Sequence, residues 1–435
     1  MGVSHLGKAV LVMFGQAFIL ANVLQPAHGL ALEPDFDNED YWTPAGYKRD
    51  DGDASGEDWV DLEAYPVFRL HPNCAGYMDL SSGQSESGSE SGSGSDSGSI
   101  SEATKAWFAK MIGNVIHLNK EARGIIPNLR ETLDQFSDGE IRRSDMSNEA
   151  KSHIDLFMSL YGKFKPDDHA AVKRAKDQVE FLANFVDRYI EGLELNAFNI
   201  DIICDYKLWK NAKYANGSKS KRIFHPQLFI KHSGKAGFDR EHIAGFKLVN
   251  EPMCPFFPPK SDQQLDVCKG RSGENTIMAF SAKTRGDSKN YITICPLAWD
   301  HFTNDRPYGD SLEKWYAKGF GGLEWKSLEQ IVRLSPEGVL THELSHSDAY
   351  WGSSKLEDIK LKAGGPSAYG FENVERLGQQ DKSESNLNNV DALKNAETYE
   401  FWSAAGWLRQ CNWSSSVCMD PDDPDSEESD PESPF

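Results

Sequence analysis

The sequence contains 435 residues, 39% of them hydrophobic, and has a formal net charge of -21. The excess negative charge lies in residues 33–96 and 420–435, so the region between these stretches is close to neutral. Acidic tails of this kind are usually solvated. The charge pattern offers no basic surface for nucleic acid, and we expect no nucleic acid among the partners.

Residues 1–29 have the layout of a secretory signal peptide, with Lys8, an apolar run over residues 9–24, and small residues after Pro26. The apolar run is shorter than the ~20 residues that a membrane-spanning helix needs. We therefore expect a secreted, extracellular protein that has no membrane anchor in its mature form.

Composition divides the rest of the chain into four parts. Residues 30–80 form an acidic segment too short for an independent core, which is interpreted either as a pro-region or as a disordered leader. Residues 81–100 are a Ser/Gly-rich tract and are predicted to be a flexible linker. Residues 101–419 have the composition of one globular domain, and residues 420–435 are predicted to be an acidic disordered tail.

The seven cysteines suit an oxidising compartment, in which an even number of them pair. Asn216 and Asn412 each begin an N-glycosylation motif, which agrees with export. Short loops favour some disulfide pairs, although sequence alone leaves the connectivity open. The favoured pairs are Cys411 with Cys418, Cys254 with Cys268, and Cys204 with Cys295, which leaves Cys74 over.

The hydrophobic pattern changes its period along the domain. Apolar residues recur at helical spacing over residues 103–136 and 167–193. Between residues 197 and 296 the pattern becomes a series of short β-rich runs separated by turn residues. A helix is predicted again from Ser335. This order predicts an α+β fold with a small antiparallel sheet and an added N-terminal helical part.

The helix predicted from Ser335 to Tyr350 contains the motif H-E-x-x-H, formed by His342, Glu343 and His346. The two imidazoles lie one turn apart on the same face and can bind one Zn²⁺. Glu343, one step round the helix, can reach a metal-bound water without binding the metal. The motif therefore predicts a metallohydrolase.

A catalytic zinc site needs a third protein ligand. No histidine follows His346, which excludes a three-histidine site of the metzincin kind. Asp348 projects from the other side of the helix, so it is either a solvated helix end or a hydrogen-bond partner of a ligating histidine. An aspartate or a glutamate can complete the site, and the glutamate model uses Glu372 or Glu375 as the third ligand. The downstream acids within reach are Asp348, Glu357, Asp358, Glu372 and Glu375.

Several separated motifs resemble those of the deuterolysin and peptidyl-Lys metalloendopeptidase family, the fungal aspzincin zinc proteases. The resemblance covers roughly residues 201–407. In this family an Asp lies three residues before a Tyr, whereas here Asp358 and Tyr369 are eleven apart. We interpret the extra residues as a Gly-rich loop insertion. The matching motifs are YITICPLAW, THELSH, Asp358 in LEDIK, AYG at residues 368–370, and NAETYEFWSAA from Asn395.

The resemblance implies a zincin-like metallopeptidase domain that binds one zinc ion through His342, His346 and Asp358. It implies that Glu343 is the general base and that Tyr369 stabilises the oxyanion. The implied function is that of a secreted zinc metalloendopeptidase acting on proteins or peptides. The competing hypothesis is a secreted protein of the same fold that is catalytically impaired and acts by binding, and the changed Asp-to-Tyr spacing favours it.

The resemblance also suggests a specificity. In the lysine-specific members of the family, two acids at the positions of Glu397 and Glu400 line the pocket for the residue after the scissile bond. Three residues apart on a helix, these two side chains share a face. The sequence therefore predicts a substrate-binding role for both glutamates and a preference for Lys after the cleaved bond.

Overall fold

The computed structural model describes residues 60–75, 100–195, 197–204, 210–213, 219–224, 238–239, 247–248, 268, 277–283, 290–303, 308–362, 365–381, 386–387 and 390–422. The predicted signal peptide, the linker tract, Asn216 and most of the acidic tail lie outside these residues. Within the described part of the chain, no helix is both long and apolar enough to cross a membrane.

Four helices form the first half of the domain. Ser101 and Asp168 cap the first and the last of them, because their side-chain oxygens accept the otherwise unpaired backbone N–H groups of the first turn. The single helix predicted for residues 103–136 is broken at Ile125, since Pro127 has no N–H to continue the helical hydrogen bonds. The helices are α1 (Glu102–Gly124), α2 (Ile126–Asp138), α3 (Asn148–Tyr161) and α4 (His169–Glu194).

A five-stranded sheet follows the order β1-β2-β3-β9-β8. Its three central strands run parallel, and β1 and β8 pair antiparallel at the two edges. The predicted antiparallel sheet is therefore wrong: the four helices form a long crossover from β2 to β3, and such connections join parallel strands. The strands are β1 (Val60–Leu62), β2 (Tyr65–Leu70), β3 (Ile200–Ile203), β4 (Lys210–Lys213), β5 (Lys219–Phe224), β6 (Phe238–Asp239), β7 (Lys247–Leu248), β8 (Ala279–Lys283) and β9 (Asn290–Ile294); β4 pairs with β5, and β6 with β7.

Residues 60–75 belong to the folded domain, because two strands of the sheet lie in this segment. These residues were assigned by composition to the acidic N-terminal segment, but β1 and β2 supply two of the five strands. Arg69 and the buried Asp201 form a two-pronged ion pair between β2 and β3, with Nε–Oδ1 at 2.7 Å. The folded domain thus begins before residue 101, the boundary expected from the sequence.

The disulfides follow the strand arrangement. Cys74 follows β2 and Cys204 follows β3, and because these strands are parallel the two cysteines meet at the same end of the sheet, with Cα atoms 5.0 Å apart. The predicted pair Cys204–Cys295 is therefore wrong. The predicted pair Cys254–Cys268 is also wrong, because Cys268 bonds to Cys295. The predicted pair Cys411–Cys418 is confirmed. Cys254 lies outside the described residues. The disulfides are Cys74–Cys204, Cys268–Cys295 and Cys411–Cys418.

The second half of the domain is helical, and the fold is α+β, as predicted. The predicted helix from Ser335 ends at Ser345 rather than reaching Tyr350. Its last carbonyl oxygens accept hydrogen bonds from groups outside the helix. Leu344 O accepts one from the Trp351 indole, and Ser345 O accepts one from Leu356 N–H. The helices are α5 (Pro296–Thr303), α6 (Leu312–Ala317), α7 (Gly319–Leu323), α8 (Leu328–Leu334), α9 (Pro336–Ser345), α10 (Asp348–Trp351), α11 (Phe371–Asp381) and α12 (Ala396–Trp407).

Helices α9 and α12 lie at the centre of the fold. Every residue of both helices is buried. They pack against each other and against α1, and α9 also contacts the edge strand β8. Tyr189 on α4 donates its hydroxyl hydrogen to the backbone oxygen of Thr341 at 2.9 Å, which fixes the position of α9 along its axis. The two helices are therefore held on all sides before any ligand binds.

Close packing at the start of α9 predicts a large effect for one small substitution. A Cβ added at Gly338 would lie 2.1 Å from the carbonyl oxygen of Val332. We expect Gly338→Ala to lower the free energy of unfolding by ~1–3 kcal/mol, as overpacking in a core does. Denaturant unfolding measures this change. Gly124→Ala is the matched control, because a Cβ there has no neighbour within 4 Å; equal stabilities of the two variants would contradict the packing described.

Candidate metal centre

Two histidines face one another at the end of α9. The helix start is fixed by Ser335, whose hydroxyl oxygen accepts Gly338 N–H at 3.1 Å. His342 lies in the last turn and His346 is the residue that ends the helix. Their spacing of four residues places the two rings on one face, with Nε2 atoms 3.2 Å apart. The predicted pair of histidine ligands is thus brought together.

A backbone pairing brings Asp358 to the histidines. Glu357 N–H donates to Lys394 O at 2.7 Å, and Ala396 N–H donates to Glu357 O at 3.0 Å. On the other side of Asp358, Ile359 N–H donates to Asn395 Oδ1 at 3.1 Å. The segment around Asp358 is therefore anchored to the residues that begin α12.

The three side chains have the spacing of metal ligands. Asp358 Oδ1 lies 3.3 Å from His342 Nε2 and 3.4 Å from His346 Nε2. Ligand atoms at two corners of a tetrahedral zinc site, with bonds of ~2.0–2.1 Å, are about 3.3–3.4 Å apart. The observed triangle agrees with one face of such a tetrahedron. The residues can therefore hold a metal ion, and the two nitrogens and one carboxylate suit Zn²⁺ better than Ca²⁺ or Mg²⁺.

Hydrogen bonds orient both rings for this role. His342 Nδ1 lies 3.0 Å from Glu400 Oε2, and His346 Nδ1 lies 2.9 Å from Leu356 O. A carbonyl oxygen accepts but does not donate, so the proton of His346 belongs on Nδ1. An ionised Glu400 imposes the same arrangement on His342. Both Nε2 atoms then present lone pairs to the metal position.

The charges around the histidines favour a cation. Burial lowers the pKa of His342, but the carboxylates of Asp358 and Glu400 outweigh burial and raise it well above its usual value. Burial raises the pKa of Asp358, but His342 and His346 outweigh burial and bring it far below its usual value. Asp358 and Glu400 therefore stabilise a positive charge at His342, and a bound metal ion would supply that charge in place of a proton.

Glu343 is held by a residue that the sequence did not point to. Ser281 Oγ lies 2.7 Å from Glu343 Oε2 and 2.9 Å from Glu343 O, and its one hydroxyl proton can be donated to either oxygen. Ser281 lies on the edge strand β8, 62 positions before Glu343. The only sequence signal was its position after a predicted strand run, and no motif includes it.

Tyr369 reaches the site despite its distance in sequence from Asp358. Ala368 N–H donates to Ile359 O at 2.8 Å, and a bridge pairs Lys360 with Ser367, so the extra residues leave and return as a loop. The Tyr369 ring lies 6.2 Å from the His342 ring. Burial, together with Asp358, Glu343 and Glu397, raises the pKa of Tyr369 well above its usual range. The phenol therefore stays protonated and can donate a hydrogen bond.

Glu397 and Glu400, which the sequence predicts to bind substrate, lie buried beside His342. Each is only 3% exposed. Glu400 contacts His342 Nδ1, and Glu397 Oε1 accepts Gly370 N–H at 3.0 Å. Burial and the neighbouring Glu400 raise the pKa of Glu397 to about 7. Both side chains are thus engaged inside the protein, on the side of His342 opposite the metal position.

These glutamates and His342 form a second group that could hold a metal ion. One imidazole nitrogen cannot serve both groups, and three observations favour the first group. His342 Nε2 faces two further ligand atoms, whereas Nδ1 has a hydrogen-bond acceptor in Glu400. His346 and Asp358 are partly exposed to solvent, whereas Glu397 and Glu400 are buried. The raised pKa of Glu397 opposes the ionised form that a ligand needs.

Two of the other candidate acids, Glu372 and Glu375, do not join the histidines in a group of possible ligands. Glu372 and Glu375 lie on α11, and Glu375 forms an ion pair with Lys163 at 3.5 Å. Among the described residues, neither belongs to a group of side chains that could hold a metal ion. Asp348 begins the short helix α10, and its side chain is outside the described part of the structure.

No family model, curated protein or solved structure matches this chain. The resemblance to the aspzincins therefore depends on the motifs in the sequence. The distances and charges within the site indicate its chemistry.

The geometry predicts one bound zinc ion. We expect the purified protein to contain about one zinc per chain, and Asp358→Ala to lose most of it, because two histidines alone do not complete the site. Metal analysis after dialysis against a weak chelator measures this loss. Glu372→Ala is the control and should keep its zinc; loss of zinc from this variant, with Asp358→Ala unaffected, would transfer the third ligand to α11.

The hydrogen bond between His342 Nδ1 and Glu400 predicts a smaller effect on zinc binding than the loss of Asp358. Glu400→Gln should weaken zinc binding by ~10- to 100-fold, since it removes the charged acceptor that orients the imidazole. Competition with a fluorescent zinc chelator gives the affinity. Glu375→Gln, the same substitution on α11, should leave the affinity unchanged. An affinity equal to wild type in Glu400→Gln would show that this hydrogen bond does not tune the ligand.

Proposed function

We propose that this protein is a secreted zinc-dependent metalloendopeptidase of the aspzincin type, with a zincin-like domain. One observation carries the proposal: His342 Nε2, His346 Nε2 and Asp358 Oδ1 lie 3.2–3.4 Å from one another. The carboxylate of Glu343 and the phenol of Tyr369 belong to the same site. A structural metal site would need neither of these last two groups.

Different residues of the chain have separate roles in peptide hydrolysis. When bound, a zinc ion would acidify a water molecule and polarise the scissile carbonyl. Glu343, held by Ser281, accepts a proton from the attacking water and later returns it to the leaving amine. Tyr369 donates a hydrogen bond to the carbonyl oxygen as negative charge develops there. Glu400 and Leu356 O keep the histidine protons on Nδ1 throughout.

Three further observations define the scope of the proposal. The three disulfides of the described residues agree with an exported protein. The preference for Lys stays a prediction; Glu397 and Glu400, on which it depends, are buried and bonded to His342 and Gly370. The binding-only hypothesis was based on the long Asp358-to-Tyr369 spacing, and the loop that returns Tyr369 to His342 removes that argument.

Two substitutions test the catalytic roles. Glu343→Gln should keep its zinc but lose at least ~10²-fold in kcat, because it removes the base. Tyr369→Phe should lower kcat by ~10²- to 10³-fold with little change in KM, because its hydrogen bond strengthens in the transition state. Casein cleavage by the zinc-loaded protein supplies the assay, and Glu372→Gln serves as control.

The outcome that would contradict the proposal is equally specific. Wild-type protein that contains zinc but cleaves no member of a random peptide library would support the binding hypothesis instead. Zinc-free wild-type protein would remove the peptidase hypothesis and leave the binding hypothesis.

A further inference from the structure

The turn that carries Tyr369 is held by two carboxylates from separate helices. Gly370 N–H donates to Glu397 Oε1 at 3.0 Å, and Phe371 N–H donates to Glu329 Oε2 at 3.1 Å. Both N–H groups are at the start of α11, where a helix has no acceptors of its own. Glu397 comes from the first turn of α12 and Glu329 from the first turn of α8.

Glycine at position 370 makes this arrangement possible. The φ angle of Gly370 is +85°, a region that residues with a Cβ rarely adopt. A Cβ there would also lie 3.0 Å from both carboxylate oxygens of Glu329. The turn therefore has its left-handed residue beside the carboxylate of Glu329.

Arg333 joins the two carboxylates. Its Nη1 donates to Glu329 Oε1 at 3.1 Å, one turn away on α8, and its Nε lies 3.9 Å from Glu397 Oε1. The guanidinium of Arg333 therefore lies between the two carboxyl groups that hold the turn. We call Glu329, Arg333 and Glu397 the acidic clamp.

The acidic clamp also touches the metal centre. Glu397 Oε2 lies 3.6 Å from His342 Nδ1, while Oε1 of the same carboxylate accepts Gly370 N–H. One side chain thus contacts both a ligand ring and the turn that carries the tyrosine. Glu329 holds the far side of that turn, so the position of Tyr369 relative to His342 is fixed from two directions.

We propose that Glu329 is a positioning residue: through the acidic clamp it fixes the Tyr369–Phe371 turn, so that the Tyr369 hydroxyl stays at the metal centre. The inference rests on the proposed function, in which this hydroxyl stabilises the developing oxyanion. Glu329 acts through the backbone N–H of Phe371, and its loss should affect the reaction only as far as Tyr369 moves.

Hydrogen exchange tests the acidic clamp without any assay of activity. In the zinc-loaded full chain, Glu329→Ala should speed exchange in a peptide spanning residues 368–372, because Phe371 N–H loses its acceptor. Glu329→Gln keeps an acceptor oxygen and should restore most of the protection. Glu324→Ala, an exposed acid just before α8, should change nothing. Unaltered exchange at residues 368–372 in Glu329→Ala, or equal acceleration throughout the domain, would overturn the proposal.

A double-mutant cycle tests the consequence for catalysis. Glu329→Ala should lower kcat by ~10- to 100-fold, the order expected when a catalytic group is misplaced, with zinc content and KM little changed. In the Tyr369→Phe background the same substitution should lower kcat less than about twofold, because the group that it positions is already absent. Equal losses in both backgrounds would assign Glu329 a general structural role. If wild-type protein proves inactive, the proposed function fails, and the exchange experiment still decides whether the acidic clamp holds the turn.

Discussion

The metal centre depends on the backbone pairing between residues 357–359 and 394–396. His342 and His346 lie on one helix, so their separation follows from helical geometry alone. Asp358 has no such local constraint, and it meets the histidines because the residues on both sides of it are bonded to the start of α12. Asn395, the residue before α12, contributes through its side chain, whose oxygen accepts a hydrogen bond from Ile359 N–H.

Helix α12 consequently serves the site in three ways. Its first residues anchor the Asp358 segment, its two glutamates contact His342 and Gly370, and its apolar remainder packs against α1 and α9. A helix that is buried on every side has no solvent-facing polar stripe, and most residues of α12 are accordingly apolar. Carboxylates inside such a helix require partners, and the imidazole and backbone N–H groups provide them.

Local patterns predicted the local parts of this structure. Helix periodicity indicated α4, and the H-E-x-x-H spacing indicated the histidine pair. The parallel sheet and the Cys74–Cys204 disulfide were missed because both depend on a crossover of more than 120 residues between β2 and β3. No local signal reports which strands become neighbours after such a connection.

The sequence predicted the site residues that belong to a motif. It missed the residues that only the packing of the fold brings to the site. Asp358 and Tyr369 came from ordered motifs, although the loop between them has an unusual length. Ser281 and Glu329 belong to no motif, and they matter because β8 and α8 pass beside the site. Glu397 and Glu400 are predicted from their sequence position to bind substrate, and no motif indicated that both also contact His342.

X-ray absorption spectroscopy of the zinc-loaded protein tests the central claim most directly. A centre formed by His342, His346 and Asp358 predicts about four nitrogen or oxygen neighbours at ~2.0–2.1 Å, with the outer-shell scattering of two imidazoles. Asp358→Ala should lose this pattern. A sulfur neighbour at ~2.3 Å, or a signal with one imidazole or none, would contradict the account.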